Sequence, residues 1–561
     1  MGAAEKTATR ATWVAALVLL MAAYGLMLFW RGFFDPDEGR YAEIPREMVA
    51  SGNWLEMRMM GFRYYEKPIL SYWLTAPALA VFGARDWAAR LPLLLPLLGT
   101  LALGARLVCR RWPASAGRIA LLTMLSTAGF FSGQTMLMTD AFLVLWLTAV
   151  CVGLFEAYQP EVAPAAQRRW LLLAAAAAAL GFMTKGLVAV VLPAGILLLW
   201  LLWERRLARL WTWSLLGAAL LFLAIVVPWL AVLERHNPGF ARSFIIEEHF
   251  SRFIGTRRIQ GHPEPFWFFL ALTPAMLLPW TFFAWRAIWK ARGQHDSLTR
   301  FLLVWGVVII VFFSISSGKL MSYIMPAFLP LGLLLGRWGV AEPLDGTARD
   351  RRSWRIGVAG AFVVLAAVGL LWTASVGQWV PRVPAIAQLS ALAFLPVAGA
   401  LWAARRALAT PAGVTLVKAS LLVAIALLVS PLAGRDFNVF IHLNNSILDT
   451  QLAAQLTPED QLVVFYDYRP ALTFYAQRAY IPFQVKNELD FGMAAEPQRR
   501  GSVETIGELR DNLQQCRGRV FALIDPNDLQ QRVKPMDQYF LPTTFPRTPD
   551  TVVVELKVPA N

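Results

Sequence analysis

The chain has few charges, almost no cysteine and little histidine. Asp, Glu, Lys and Arg make up only 16% of its 561 residues, against 57% hydrophobic ones. Its three cysteines, Cys109, Cys151 and Cys516, stand far apart, which leaves neither a disulfide framework nor a cysteine metal cluster. There is no HExxH pair, no P-loop, no dinucleotide glycine fingerprint and no nucleophile elbow. Soluble nucleotide-dependent chemistry is therefore unsupported. Internal repeats and long disordered tracts are missing too.

What is there is grease. Apolar runs of roughly 20 residues, long enough to cross a bilayer, recur along most of the chain. They define a mainly α, polytopic helical membrane protein with about thirteen spans: 11–31, 87–108, 114–134, 139–157, 170–184, 187–203, 211–233, 266–286, 300–316, 320–337, 355–375, 387–404 and 412–433. The 23 Trp and 35 Phe suit interfacial belts and lipid-facing surfaces. The first run lacks a clear small-residue cleavage site and reads as an uncleaved helix.

The net charge of +15 could suggest nucleic acid, but its distribution argues against that partner. The basic residues cluster in short loops: Arg110-Arg111, Arg168-Arg169, Arg205-Arg206-Arg209, Lys290-Arg292, Arg349 to Arg355 and Arg405-Arg406. They alternate with the spans so that all fall on one side, which the positive-inside rule makes cytoplasmic. The other side receives loop 32–86, loop 234–265 and the C-terminal segment 434–561. Ile69 to Gly83 is too short for a span and reads as juxtamembrane or re-entrant. The spacing thus predicts a membrane domain over 1–433, including those two outer loops. A second domain follows over 434–561, its net charge near −3 (13 Lys and Arg against 16 Asp and Glu). In it, 462–466, 519–524 and 551–556 have strand character, with helical stretches near 446–455 and 503–515, which predicts a small α/β domain.

With that topology, the costly polar residues meet on the outer face. Asp37, Glu38 and Arg40 follow the first span; Tyr64, Glu66 and Lys67 precede the second. Asp140 opens the fourth and Lys185 ends the fifth. Glu247, Glu248, His249, Arg252, Arg257, Arg258 and His262 occupy the long loop, and Lys319 and Tyr323 open the tenth span. Each has an ordinary explanation beside a functional one. Asp37 and Asp140 could be helix caps or active-site acids. Lys67, Lys185 and Lys319 could snorkel to the headgroups or contact a phosphate. Lys185 and Lys319 each adjoin a glycine, which lets a ligand come close to the backbone. Arg252 suits bidentate phosphate binding or anionic headgroups. Glu66 and His249 could share a divalent cation such as zinc, although two such ligands make no tetrahedral signature.

Several strings carry a resemblance: Phe34-Asp35-Pro36-Asp37-Glu38-Gly39-Arg40-Tyr41, Tyr65-Glu66-Lys67-Pro68, Thr139-Asp140, Met183-Thr184-Lys185-Gly186, His249-Phe250-Ser251-Arg252-Phe253, His262-Pro263-Glu264-Pro265 and Ser316-Ser317-Gly318-Lys319-Leu320. In this order they resemble the lipid A aminoarabinose transferases, membrane glycosyltransferases of the GT-C fold with protein O-mannosyltransferases as distant relatives. By motif the resemblance covers about 30 to 330. It implies that 4-amino-4-deoxy-L-arabinose moves from undecaprenyl phosphate to a lipid A phosphate, on the periplasmic face of a bacterial inner membrane. That would confer resistance to polymyxin and other cationic peptides. It implies Asp37 and Asp140 as active-site acids, with Lys67, Arg40 and Arg252 near the lipid phosphate. Glu66 and His249 match a metal-associated pair of the family, although the chemistry requires no cofactor. Tyr64, Tyr323, Lys185 and Lys319 join the expected lipid-phosphate site, and the enzyme is expected to act as a monomer among membrane lipids.

Two other readings stay open on the residues alone. Another GT-C enzyme could use the same donor with a protein or glycan acceptor. A transporter is the second, but it would place ionisable residues near mid-membrane and often show repeat symmetry.

Overall fold

The computed structural model describes residues 20–29, 31–254, 264–278, 280–341, 347–356, 446–484, 505–513, 518–531, 540–542 and 551–556, with a few isolated positions besides. The protein is a multi-pass helical membrane protein. Among the described residues, five helices are long and apolar enough to cross a membrane, and seven if each of two bent pairs counts as one span. The spans expected at 387–404 and 412–433, and nearly all of 355–375, lie outside the described residues.

Two compact units emerge, and neither is a continuous stretch of chain. The larger contains 1–28, 93–135 and 139–433; the smaller contains 29–92, 136–138 and 434–561. The division differs from a simple break at 433, because the first outer loop packs with the C-terminal segment. Phe33 lies edge-on to Phe474 and stacks on Tyr475, with centroids 5.0 and 5.7 Å apart. Asp35 accepts the Ala471 N–H at 3.0 Å, at the start of helix Pro470–Ala476. Pro470 in the first turn has no N–H to give, so Asp35 meets the next orphan donor from across the unit.

In the larger unit, expected spans become the helices Leu94–Cys109, Thr139–Ala157, Pro164–Lys185, Val188–Trp203, Trp213–His236 and Ser297–Ile315. Asp296 caps the last of these, its carboxylate accepting the Thr299 N–H at 2.9 Å. The expected span 114–134 is instead two helices, Ala114–Leu125 and Ala128–Thr135, bent by 62°. No proline or glycine lies at the break. Ser126 Oγ takes the Leu122 carbonyl (2.6 Å), Thr127 Oγ1 takes that of Met124 (2.9 Å), and the Ala128 N–H turns to Leu278 O (2.9 Å). Short hydroxyl side chains that bond the preceding turn compete with the helix ladder in this way. Where it is described, loop 234–265 is helical over Phe240–Arg242, π-helical over Ser243–Ser251, and helical again over Arg252–Ile254.

Helix packing here rests on close approach, since lipid tails compete equally for apolar side chains. Gly332 and Gly336, one turn apart, face helix Ala114–Leu125. A Cβ at Gly332 would stand 2.7 Å from Met124 Cα, and one at Gly336 would stand 2.5 Å from Ala120 Cα.

The smaller unit holds a hairpin of β1 (Arg58–Met59) with β2 (Phe62–Arg63), and a five-stranded sheet. The sheet's strands are β3 (Gln461–Phe465), β4 (Ile481–Phe483), β5 (Val520–Ile524), β6 (Phe540–Pro542) and β7 (Val552–Leu556), in the order β4-β3-β5-β7-β6. β3 pairs parallel with β4 and β5, while β7 runs antiparallel between β5 and β6. The expected strands and helices are all present, and β4, β6 and helices Pro470–Ala476 and Pro526–Gln531 are additions. Leu70–Phe82 is a 13-residue helix, too short to span alone, in keeping with the juxtamembrane reading.

Candidate active site

The acidic string after the first span resolves into three different environments. Helix Asp37–Ser51 begins within it and buries Glu38, Arg40 and Tyr41. Successive helical residues diverge by about 100°, so Asp37 and Glu38 face different surroundings. Glu38 is fully buried. Its Oε1 accepts from Arg31 Nη2 (3.0 Å), Arg90 Nε (2.9 Å) and the Leu137 N–H (2.8 Å). Its Oε2 accepts from Arg31 Nη1, Arg90 Nη2 (2.9 Å) and the Phe34 N–H (2.9 Å). Burial pushes the carboxyl up, but the Arg31 and Arg90 guanidinium groups outweigh it and hold Glu38 well below the usual carboxylate range. This acid is a structural anchor.

Asp37 is different. Its side chain is 41% exposed and pairs with Arg40 Nη2 at 2.7 Å. No side-chain cap bond is made at the start of this helix, so the capping explanation of Asp37 does not apply. Asp35, the third acid, shields its Oδ2 from water without a hydrogen-bond partner. Desolvation, then the Asp449 carboxylate, push its pKa well above the ordinary value.

Arg40 is buried beside phenols. Its guanidinium lies 5.0 Å from the Tyr41 ring centroid and interacts electrostatically with Tyr64, Tyr41, Asp37 and Tyr468. Among the described residues, the buried hydroxyls of Tyr72 and Tyr468 have no hydrogen-bond partner. Tyr468 was missed by the sequence reading. A signal did exist: it lies just beyond β3, at the carboxyl end of a parallel strand, where α/β sheets commonly bind ligands. Lys67 and Glu66 are partly buried neighbours, Nζ standing 3.8 Å from the Glu66 carboxylate and 3.3 Å from its carbonyl.

The larger unit carries a second group. Asp140 sits in the first turn of Thr139–Ala157 and Lys185 in the last turn of Pro164–Lys185. Lys185 Nζ contacts Asp140 Oδ1, with both side chains largely buried, and lies 4.6 Å from the Tyr323 ring centroid. Asp140 is thus a partner of Lys185, and the pair is packed on an aromatic face. The chain turns at Gly186, whose φ of +81° favours glycine. What approaches this glycine is the imidazole of His249, whose Nε2 would be 2.0 Å from a Cβ there. Lys319 donates to the Ser316 carbonyl (2.6 Å) and the Glu264 carbonyl (2.8 Å). The ammonium thus clamps two backbone carbonyls. Arg252 opens the short helix Arg252–Ile254, and Arg257, Arg258 and His262 lie outside the described residues.

The expected metal pair is Glu66 and His249. His249 Nδ1 faces the Phe244 carbonyl at 2.7 Å and so carries the proton, while Nε2 accepts the Leu187 N–H at 3.1 Å. Both ring nitrogens thus meet protein groups. Glu66 belongs to the other unit, and no cluster of three or more His, Cys, Asp or Glu suited to a metal occurs among the described residues.

Comparison with known proteins bears on both units. Residues 10–244 match the family model of dolichyl-phosphate-mannose-protein mannosyltransferases, and residues 448–553 match the aminoarabinose transferase C-terminal domain. An undecaprenyl phosphate-α-4-amino-4-deoxy-L-arabinose arabinosyl transferase of Pseudomonas fluorescens is 38% identical over 59% of this chain and 57% of its own length. The alignment thus spans less than two thirds of that relative. The corresponding protein of Sodalis glossinidius is 35% identical over 66% of this chain and 68% of its own. The crystal structure of ArnT from Cupriavidus metallidurans bound to undecaprenyl phosphate is 27% identical, with a TM-score of 0.79 over 97% of both chains. Its apo form gives 0.77 over the same share. With both family models matched in sequence order and the fold shared from end to end, the chain belongs to the undecaprenyl phosphate-α-4-amino-4-deoxy-L-arabinose arabinosyl transferase family.

Proposed function

We propose that the protein moves 4-amino-4-deoxy-L-arabinose from undecaprenyl phosphate to a phosphate of lipid A, as a monomer in the bacterial inner membrane with its site facing the periplasm. The observation that carries this reading is the end-to-end likeness to a structure bound to undecaprenyl phosphate. The C-terminal match favours it over a protein acceptor, since that segment matches the aminoarabinose family model.

In the reaction, an acceptor phosphate oxygen attacks the anomeric carbon. The bond from that carbon to the polyprenyl phosphate oxygen breaks, and its electron pair leaves with the phosphate. Negative charge grows on the leaving group, where preorganised cations stabilise most. Lys67, Arg40 and Arg252 are the candidates, and Tyr64 interacts with Arg40. The acceptor is ionised at neutral pH and needs no strong general base. Asp37, open to solvent and paired with Arg40, suits holding the sugar ammonium or the positive charge developing at the anomeric carbon. No covalent nucleophile stands out, so direct displacement with inversion is the expected course.

Purified enzyme, labelled undecaprenyl-linked aminoarabinose and either lipid A or peptide acceptors test this. Label on lipid A, with a mass increase of one aminopentose, supports it. Label on peptide moves the protein to the mannosyltransferase-like class, and flux across proteoliposomes without transfer moves it to the transporters.

A further inference from the structure

His249 bridges three segments of the larger unit. Helix Pro164–Lys185 ends at Gly186, and Leu187 immediately precedes helix Val188–Trp203. The first N–H groups of a helix have no partner inside it. Here the Leu187 N–H finds one in His249 Nε2, supplied from 62 residues further along the chain. The ring is held in turn by its Nδ1–H on Phe244 O (2.7 Å) and by the Phe244 ring, edge-on at 4.9 Å. Nε2 also lies 3.3 Å from the Lys185 carbonyl. Gly186 has no side chain to prevent this approach.

We propose that His249 is a positioning residue: as a neutral imidazole protonated on Nδ1, it fixes the Lys185–Gly186–Leu187 turn and so sets the Lys185 ammonium on Asp140 beside Tyr323. Its ring acts on the backbone, and a metal has no part in it. The inference rests on the transferase reading above, since the purpose of the turn is to present Lys185 to the reaction.

Two substitutions separate this role from metal ligation. His249→Phe keeps the aromatic bulk but offers Leu187 no acceptor. His249→Gln restores an acceptor oxygen near the position of Nε2, and a glutamine amide is a poor zinc ligand. The assay is transfer of aminoarabinose to lipid A by the full chain in nanodiscs, with thermal unfolding and bound zinc measured on the same samples. His249→Phe should lower kcat roughly 10- to 100-fold, as misplaced groups do, with KM for the donor within about twofold. His249→Gln should recover most of kcat. In a Lys185→Ala background His249→Phe should cost little more, because residues acting as one unit are not additive. Wild-type enzyme stripped by chelator should stay active.

The proposal is overturned if His249→Gln is as inactive as His249→Phe while both remain folded, or if activity and bound zinc fall and return together. Full kcat in His249→Phe overturns it as well. Wild-type protein that transfers no aminoarabinose refutes the function itself, and the positioning role with it, so the two failures are told apart.

Discussion

Glu38→Gln and Asp37→Asn change adjacent carboxylates by one atom each, and they should fail in opposite ways. The Glu38 carboxylate sits between Arg31 and Arg90, with all three side chains fully buried. Removing its charge leaves two guanidinium groups without their counterion in a dry site, a change that costs about 3–5 kcal/mol in buried pairs. At about 2–4 °C per kcal/mol for a unit of this size, the smaller unit should melt roughly 6–20 °C lower. Asp37 is 41% exposed and paired only across one turn, so its stability contribution is about 0–1 kcal/mol. Asp37→Asn should therefore melt like wild type while losing roughly 100-fold or more in transfer rate. Raising the pH should not restore it, because an ionised acceptor has no proton to lose. The assay is thermal unfolding in nanodiscs alongside lipid A transfer. A stable but inactive Glu38→Gln, or an unfolded Asp37→Asn, would refute the division of roles. Recovery of Asp37→Asn in proportion to hydroxide would restore Asp37 as a general base. A pH scan adds an independent check on Glu38. Its folded pKa lies below the unfolded one, so the folded state binds fewer protons and stability rises with pH. Glu38's contribution is complete above the unfolded value near 4.5 and is lost as pH falls towards the folded value. Glu38→Gln should remove that acid limb.

Asp449 should show the reverse slope: burial, only partly offset by Arg469, pushes its carboxyl up to about 6 from 3.8, so its stability contribution declines as pH rises through that window, and Asp449→Asn should flatten the unfolding profile there. Lys319→Ala removes two charge-assisted bonds to backbone carbonyls, which should cost about 3 kcal/mol or more of stability and leave KM for the donor unchanged in the folded fraction, as read by unfolding and kinetics on one preparation. Tyr468→Phe deletes a buried hydroxyl that has no hydrogen-bond partner among the described residues; unfolding should not move, while KM for the donor should rise about tenfold.

The sequence reading succeeded where one strong local force decides. Long apolar runs became helices because a bilayer tolerates little else, and the strands over 461–465, 520–524 and 552–556 announced themselves as β-branched and apolar. It failed where distant residues decide. Asp37 and Glu38 stand side by side, but what separates them is Arg90 and Leu137, 52 and 99 residues from Glu38. The glycine after Lys185 was correctly taken as a place of close approach, yet its occupant is a side chain from the far end of another loop. The break at Ser126 and Thr127 needed no proline, only an outside acceptor for one N–H. The close packing at Gly332 and Gly336 was legible as a glycine pair four apart and was overlooked.

The joint of Phe33 and Asp35 with Tyr475 and Ala471 ties chain segments more than 430 residues apart. At ~5–20 residues per second, the ribosome needs roughly 20–90 s to travel from one side of that joint to the other. Throughout that interval the segment that bears Asp37 is already translated but lacks its partners Ala471 and Tyr475. A ribosome stalled before residue 470 would leave an inserted membrane protein with an unfinished outer surface.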